Sequence, residues 1–158
     1  MTDTAIAFDT RKEFQQQLRA LLARTRGPLA MFDPDFALFE LGTSEVDAEL
    51  RRHLAAGGTL RLAMHDETHL ARHAPRLLRL LRDYAHLAEC RVTPRGLRHL
   101  TDSFAIGDDT HIVRRFHSDH LRGVAAFDAP SETDVHRERF AAIWAESLPG
   151  LRPAITGL

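Results

Sequence analysis

Residues 104–116 read FAIGDDTHIVRRF, and this stretch decides the predicted fold. Two short apolar segments, 104–106 and 111–116, flank the turn Gly107-Asp108-Asp109-Thr110, a pattern typical of a β-hairpin. Two strands joined by so short a turn run antiparallel. The chain therefore contains an antiparallel portion of sheet, and the elements around the hairpin decide what else the sheet contains.

The rest of the chain alternates predicted strands with predicted helices. Apolar segments typical of strands cover residues 4–8, 29–32, 36–41, 59–64, 89–93 and 124–127. Apolar residues at helical spacing follow Thr10, Ser44, Glu67 and Ser131. Strands that alternate with helices favour a partly parallel sheet with helices packed against it. We therefore expect an α/β fold, a mixed sheet flanked by helices, in a single domain over residues 1–158.

The ends of the predicted helices carry their own signals. Capping boxes are predicted for three pairs: Thr10 with Glu13, Ser44 with Asp47, and Ser131 with Asp134. Pro75 falls inside a predicted helix, so we expect a restart there, with Pro75 in the first turn of the new helix. The last helix is expected to bury Val135, Phe140, Ile143 and Trp144.

Composition excludes several classes of function. The 158 residues carry a formal net charge of −1, which gives no broad basic field for nucleic acid or acidic membranes. Cys90 is the only cysteine, so no intramolecular disulfide can form, and its apolar neighbours predict a buried, unreactive thiol. Lys12 is the only lysine, which excludes P-loop and Schiff-base chemistry. No secretory or membrane-spanning segment is recognisable, so the expected location is the cytoplasm, with no membrane partner.

Residues 101–108 read TDSFAIGD and run directly into the hairpin. They resemble the strand of the phospholipase D superfamily that carries the motif His-x-Lys-x-x-x-x-Asp. Asp108 stands at the aspartate of that motif, Thr101 at its histidine and Ser103 at its lysine. Residues 140–144, FAAIW, match the aromatic pattern Phe-x-x-x-Trp of the closing helix. The order of elements resembles one half of the superfamily over essentially the whole chain.

This resemblance implies a fold, a degenerate motif and a set of partners. The implied fold is phospholipase D-like, and a homodimer is implied because half-domains of the superfamily usually pair. The chain is also similar to a group of uncharacterised bacterial proteins with this degenerate half-domain. Some of those proteins are attached to acetyltransferase domains, so an acetyltransferase or another protein is a further expected partner.

The departures from the motif imply a change of function. In the superfamily the histidine attacks phosphorus and the lysine neutralises the phosphoryl oxygens. Thr101 is a poor nucleophile without a base, and Ser103 supplies no positive charge to the developing phosphorane. We therefore expect the family's mechanism to be lost. The predicted function is a non-catalytic domain, without a cofactor, that binds a phosphorylated small molecule or a protein partner.

Basic residues around the hairpin are the candidate ligand-binding residues: Arg98, His99, Arg114, Arg115, His117 and His120. Guanidinium groups bind phosphate through charge-assisted hydrogen bonds. The alternative for these residues is a set of solvated loops and scattered surface arginines. The alternative function is a divergent phosphodiesterase or hydrolase in which His99, His117 or His120 acts with Asp108.

Three histidines recur every fourth residue at His65, His69 and His73. Histidines four apart share one face of a helix and can chelate zinc. His65, however, lies where the strand over 59–64 is predicted to end, so the three side chains are not expected to share a face. The sequence favours a solvated polar surface here, and we predict no metal site.

Overall fold

The computed structural model describes residues 5–151 of the chain. In chain order the elements are β1 (Ile6–Phe8), α1 (Arg11–Arg24), β2 (Pro28–Phe32), α2 (Ser44–Ala55), β3 (Thr59–Met64), α3 (Thr68–His73), α4 (Pro75–Asp83) and β4 (Ala88–Val92). A short 3₁₀ turn (Arg95–Leu97) then leads to β5 (Ser103–Gly107), β6 (His111–Arg115), β7 (Gly123–Ala126), α5 (Pro130–Glu146) and β8 (Leu148–Pro149). Thr4, the predicted start of the first strand, lies outside the described residues.

Within residues 5–151, eight strands form one sheet in the order β1-β7-β6-β5-β2-β3-β4-β8. Parallel pairing joins β2 to β3 and β3 to β4, whereas the remaining neighbours run antiparallel. The predicted mixed, partly parallel sheet flanked by helices is confirmed. Its parallel part consists of the three strands that long helical crossovers connect, as parallel pairing requires.

Helices cover both faces of the sheet, because its strands are apolar on both sides. One face packs against α1, α2 and α4, around Phe14, Leu50 and Leu62. The other face packs against α5, where Phe104 of the hairpin meets Phe140, with ring centroids 6.4 Å apart. Successive residues of β5 and β6 therefore point into different layers, as strand geometry dictates. No helix of residues 5–151 is long and apolar enough to cross a membrane.

Two of the predicted helix starts differ from the observed ones. The capping box of α1 is confirmed, since the Glu13 N–H donates to the Thr10 hydroxyl at 3.1 Å and the Asp9 N–H donates to the Glu13 carboxylate at 3.1 Å. For α2 the cap is Thr43, one residue before the predicted Ser44. α5 begins directly at Pro130, whose ring is compatible with a first helical turn, so the predicted box at Ser131 is wrong.

Two further predictions concern apolar and proline residues. Pro75 begins α4, as predicted. The prediction that Val135 is buried is wrong, because this residue is 69% exposed. Phe140, Ile143 and Trp144 are buried, as predicted. The buried face of α5 begins instead at Thr133, which has no exposed surface and whose hydroxyl donates to the Ala129 carbonyl, so the apolar period alone misassigns the first member of that face.

The predicted strand over 36–41 is wrong. This segment forms a series of turns in which Phe36 and Glu40 have φ values of 62° and 55°. The turns begin where the Asp33 carboxylate accepts the N–H groups of Asp35 and Phe36, at 3.1 and 2.7 Å. Phe36 and Phe39 are nevertheless buried, so the apolar residues reflect core packing and not strand pairing.

Candidate functional site

The start of β5 lies at the edge of the sheet where the parallel strands end. β5 runs antiparallel to β2, and Phe104 lies opposite Phe32, so Ser103 lies beside Asp33, the first residue after β2. In open α/β sheets, ligands bind outside the carboxyl ends of the strands. Two of the three motif positions, Thr101 and Ser103, therefore lie at the edge where a ligand site is expected.

A buried arginine occupies the interior of this edge. Ser103 and Arg115 are cross-strand partners, and the Arg115 Nε–H donates to the Ser103 hydroxyl at 3.2 Å. The Arg115 Nη2 group donates to the Asp33 carboxylate at 2.8 Å, and both side chains are only 2% exposed. We call Asp33, Ser103 and Arg115 the Arg115 cluster. A positive charge thus lies beside Ser103, the residue that the resemblance aligns with the motif's lysine, but it is paired inside the protein.

The electrostatics of Asp33 agree with a closed cluster. Burial raises the pKa of this carboxyl, whereas hydrogen bonding from Ser103, the Arg115 charge and the amides of Phe36 and Asp35 act in the opposite direction. A buried carboxylate without such partners would be very costly. Asp33 and Arg115 therefore depend on each other, and neither is free to bind a ligand.

Arg115 also holds the loop that follows β6. Its Nη1 group donates to the carbonyl oxygens of Ser118 and His120, at 2.7 and 3.2 Å. The Ser118 N–H in turn donates to the Thr101 carbonyl at 2.8 Å. His117 and His120, with ring centroids 5.3 Å apart, lie on this loop. The predicted His117–His120 segment is thus brought beside Thr101 and Ser103.

Asp108 lies at the other end of β5 and belongs to a different part of the molecule. Its carboxylate accepts the N–H of Gly27 at 2.7 Å and that of Arg26 at 3.1 Å, and its φ is 55°. Both bonds fix the turn to the start of β2. The structure therefore separates Asp108 from the motif's other two positions and from the loop that carries His117 and His120.

A small polar pocket opens on the α5 side of the same edge. Its volume is about 200 Å³, and its lining residues are Thr101, Asp102, Ser103, Phe104, Arg114, Arg115, Phe116 and His136. We call it the Arg114 pocket. Arg114 lies opposite Phe104, on the face of β6 turned away from the Arg115 cluster, with its guanidinium carbon 5.1 Å from the Phe116 ring centroid.

His136 is the functional candidate that the sequence pattern missed. Its Nδ1 atom is buried and has no hydrogen-bond partner among the described residues, and its ring lies edge-on to Phe104 at a centroid distance of 5.3 Å. Burial lowers its pKa, and the nearby Arg114 charge lowers it further. The available signal was its position one helical turn before the buried Phe140, which places both on one face of α5.

Asp102, which lines the pocket, forms a salt bridge with α5. Arg139 of α5 donates to both oxygens of Asp102, from Nε at 2.6 Å and from Nη2 at 2.9 Å. This bidentate bond raises the pKa of Arg139. The charge of Asp102 is thereby balanced, whereas Arg114 has no ion-pair partner among residues 5–151.

The other predicted basic residues lie apart from this pocket. Arg98 and His99 are exposed, and Arg98 lines a separate shallow depression with His65, Asp66, Glu67 and Val92. The predicted basic cluster is therefore divided: Arg114 faces the pocket, Arg115 is buried, and Arg98 and His99 lie elsewhere on the surface.

The histidine repeat does not gather into a metal site. Both ring nitrogens of His65 have partners, Nδ1 with the Thr93 hydroxyl at 2.6 Å and Nε2 with the Leu100 carbonyl at 2.8 Å. His69 and His73 pack against each other with ring centroids 4.9 Å apart. Among residues 5–151 no group of three His, Cys, Asp or Glu side chains could hold a metal ion. Cys90 is buried, and burial raises the pKa of its thiol.

The sequence matches one family model, whose description is "Domain of unknown function (DUF7931)", over residues 10–152. No curated protein matches the chain.

Similar solved structures include Nuc from Salmonella typhimurium, a phospholipase D family member, at 10% identity and a TM-score of 0.69, covering 93% of this chain and 97% of Nuc. NucT from Helicobacter pylori has 8% identity and a TM-score of 0.68, covering 93% and 99%. TrmBL2, an archaeal chromatin protein that binds DNA, has 10% identity and a TM-score of 0.72, covering 94% of this chain and 55% of TrmBL2. The chain thus spans about half the length of TrmBL2 and nearly all of Nuc and NucT. These likenesses show the phospholipase D-like fold.

Proposed function

The chain belongs to the DUF7931 family and has the phospholipase D-like fold, and we propose that it is a non-catalytic domain of this fold that binds a phosphorylated ligand. In this proposal residues 1–158 form one domain with a degenerate motif at Thr101 and Ser103, like the bacterial group that the sequence resembles. The ligand lies at the motif edge of the sheet.

The Arg115 cluster is the observation that supports the loss of catalysis. The residue at the motif's lysine position, Ser103, is uncharged, and the nearest cation, Arg115, is paired with Asp33 at 2.8 Å. A cation that stabilises a phosphorane must point at the reacting phosphoryl group. Arg115 makes four hydrogen bonds inside the protein, so its charge is committed before any ligand arrives.

The Arg114 pocket supports the binding of a phosphorylated ligand. Its lining combines the Arg114 guanidinium, the Thr101 hydroxyl and the His136 imidazole. These are the groups that bind phosphate oxygens through charge-assisted and neutral hydrogen bonds. The divergent hydrolase, in which a histidine acts with Asp108, receives less support, because Asp108 bonds to Arg26 and Gly27 at the opposite end of β5.

The structural similarity to TrmBL2, which binds DNA, makes nucleic acid a ligand to consider for this chain. A protein that binds duplex DNA through phosphates needs a basic surface that spans several of them. This chain has a net charge of −1, and among residues 5–151 the Arg114 pocket contains one arginine, Arg114, that has no ion-pair partner. These features favour a ligand with a single recognised phosphate over a long stretch of nucleic acid.

Three further parts of the proposal rest on sequence and resemblance. A homodimer follows from the pairing of half-domains in the superfamily, and Phe116, 54% exposed beside the Arg114 pocket, supplies an apolar residue at that edge. An acetyltransferase is a possible protein partner by analogy with the similar bacterial proteins. The proposed location is the cytoplasm.

The test is a turnover assay with a generic aryl phosphodiester, with and without added zinc. Wild type is compared with two variants, the pair His117→Ala/His120→Ala and the single change His136→Asn. We expect the wild-type protein to show no more turnover than either variant, both with and without added zinc. Turnover by wild type that is lost in one of the variants would show that the fold has rebuilt its chemistry on histidines, and would overturn the proposal.

A further inference from the structure

Another cavity lies at the opposite edge of the sheet from Thr101 and Ser103, where the parallel strands begin. Its lining includes Pro28, Thr59 and Ala88, the first residues of β2, β3 and β4. The volume is about 430 Å³. Pockets that bind small molecules span roughly 300–1,000 Å³ and are lined mainly by apolar side chains. We call this cavity the Arg61 groove.

The groove exists because a single helix covers this face of the sheet. Ile106, Ala30 and Arg61 are register neighbours on β5, β2 and β3, so they form one row across the sheet. α5 packs against β2, β5 and β6, and its residues Phe140 and Ala141 form one wall of the groove. Ala30 is the smallest member of the row and leaves space between its neighbours. The floor and the α5 wall are therefore largely apolar.

Arg61 supplies a cation at the β3 end of the groove. It is exposed, and its guanidinium carbon lies 5.2 Å from the Trp144 ring centroid. Glu89 of β4 lies opposite Arg61 in register, but its carboxylate pairs with the Arg91 guanidinium at 3.0 Å. Within residues 5–151, Arg61 forms no ion pair. Its charge is thus available to a ligand in the groove.

The other charged residues of the groove leave the Arg61 charge uncompensated. Arg137 of α5 pairs with Asp134 at 3.4 Å. Asp109 is exposed on the turn after β5, and β2 separates β5 from β3 in the sheet. His86 is exposed on the loop before β4. Solvent and salt screen exposed charges that lie this far apart. The groove therefore combines an apolar surface with one positive charge at one end.

We propose that the Arg61 groove binds a small monocarboxylate with an apolar body, an aromatic or branched aliphatic acid. The carboxylate accepts hydrogen bonds from the Arg61 guanidinium, whose planar donors match two carboxylate oxygens. The apolar body lies on Ile106 and Ala30, against the Phe140 side of the groove. This site is separate from the proposed phosphate site, so neither depends on the other.

The experiment is a titration of the full chain with hydrocinnamate, a phenyl ring on a short carboxylate chain, followed by NMR of the backbone amides. Shifts are expected at Ala30, Ile106 and Ala141. Arg61→Gln should weaken binding about tenfold or more, the usual cost of losing a charged hydrogen-bond donor. Arg79→Gln is the matched control, because it removes an exposed arginine from α4, which covers the other face of the sheet. Its affinity should equal that of wild type.

A second pair of variants tests the apolar part of the groove and leaves Arg61 in place. Ala141→Phe fills the groove from its α5 wall and should weaken binding of hydrocinnamate about fivefold or more. Ala142→Phe places the same side chain on the next residue of α5, which is also exposed, and should bind as wild type does. Equal affinities of these two variants, or of wild type and a folded Arg61→Gln, would overturn the assignment of the site.

The ligand class is tested with analogues of the probe. The uncharged amide, hydrocinnamamide, should bind wild type about tenfold or more weakly than hydrocinnamate, and should bind Arg61→Gln as it binds wild type. Phenethylamine should bind more weakly still. If the amine binds better than the acid, the Asp109 carboxylate selects the ligand and the proposal fails. Inorganic phosphate should not displace hydrocinnamate. Displacement would mean that the two anions share one site, and would also overturn the inference.

Discussion

Strand β6 separates two regions that use adjacent arginines in different ways. On the α1 side, Arg115 is buried, with its guanidinium carbon 5.4 Å from the Phe14 ring centroid and its donors bonded to Asp33, Ser103 and two loop carbonyls. On the α5 side, Arg114 is partly exposed and lines an open pocket with His136. Two identical side chains, one residue apart, are thus structural on one side of the sheet and available to a ligand on the other.

The difference shows that two neighbouring arginines of one strand need not be equally accessible to solvent and ligands. Strand alternation sends Arg114 and Arg115 to opposite faces, and one buried carboxylate, Asp33, then decides which of them keeps a free charge. The Arg115 charge lies beside Ser103, but its pairing with Asp33 makes it part of the fold.

The largest expected effect comes from removing each arginine in turn. Arg115→Met leaves the Asp33 carboxylate buried without its partner, so we expect a loss of about 3–5 kcal/mol in the free energy of unfolding. Arg114→Met, the same change on the exposed side, should cost less than about 1 kcal/mol. Urea denaturation of both variants measures the difference. Equal losses in the free energy of unfolding would contradict the account in which Arg115 stabilises the fold and Arg114 does not.

A second pair of variants tests the turn that follows β5, at the end of the strand away from Thr101 and Ser103. Asp108→Ala removes the acceptor of the Arg26 and Gly27 N–H groups, and should cost about 2 kcal/mol more than Asp109→Ala. The two aspartates have φ values of 55° and 57°, so the backbone strain of the new alanine is matched and cancels. The measurement is again the free energy of unfolding.

The smallest expected effect is electrostatic. Arg114 lowers the pKa of His136, so Arg114→Gln should raise that pKa toward its ordinary value in the ligand-free protein, while burial keeps it from reaching that value. A histidine with a lowered pKa in the folded state binds a proton more readily when unfolded, so stability falls as pH decreases through this range. The loss of stability on acidification should therefore be smaller in Arg114→Gln. NMR titration of His136, with Arg137→Gln as control, measures the shift.

The sheet could be predicted because its signals are local. The turn at Gly107-Asp108-Asp109-Thr110 and the alternation of strands with helices are visible in short windows, and the structure confirms the mixed sheet. The prediction of a strand over 36–41 was wrong because the backbone there is determined by a contact outside the segment. Its apolar residues are buried in the core, but its backbone follows the turn that the Asp33 carboxylate stabilises.

The contacts around the candidate site could be anticipated only in part, because those that decide its geometry join residues distant in sequence. Thr101, Ser103 and Arg114 could be selected from the resemblance and the basic pattern. The pairing of Arg115 with Asp33 joins residues 82 positions apart, and no short pattern marks Asp33 as its partner. His136 shares the pocket only because α5 packs across β5, which depends on the complete fold.

The most direct test of the central claim is a double-mutant cycle between Arg115 and Asp33. Free energies of unfolding are measured for wild type, Arg115→Met, Asp33→Asn and the double variant. If the Arg115 charge is committed to Asp33, the double variant will be more stable than the sum of the single losses implies, with a coupling of about 2 kcal/mol or more. Losses that add to within about 0.5 kcal/mol would mean that Arg115 is not held by Asp33, and would contradict the account.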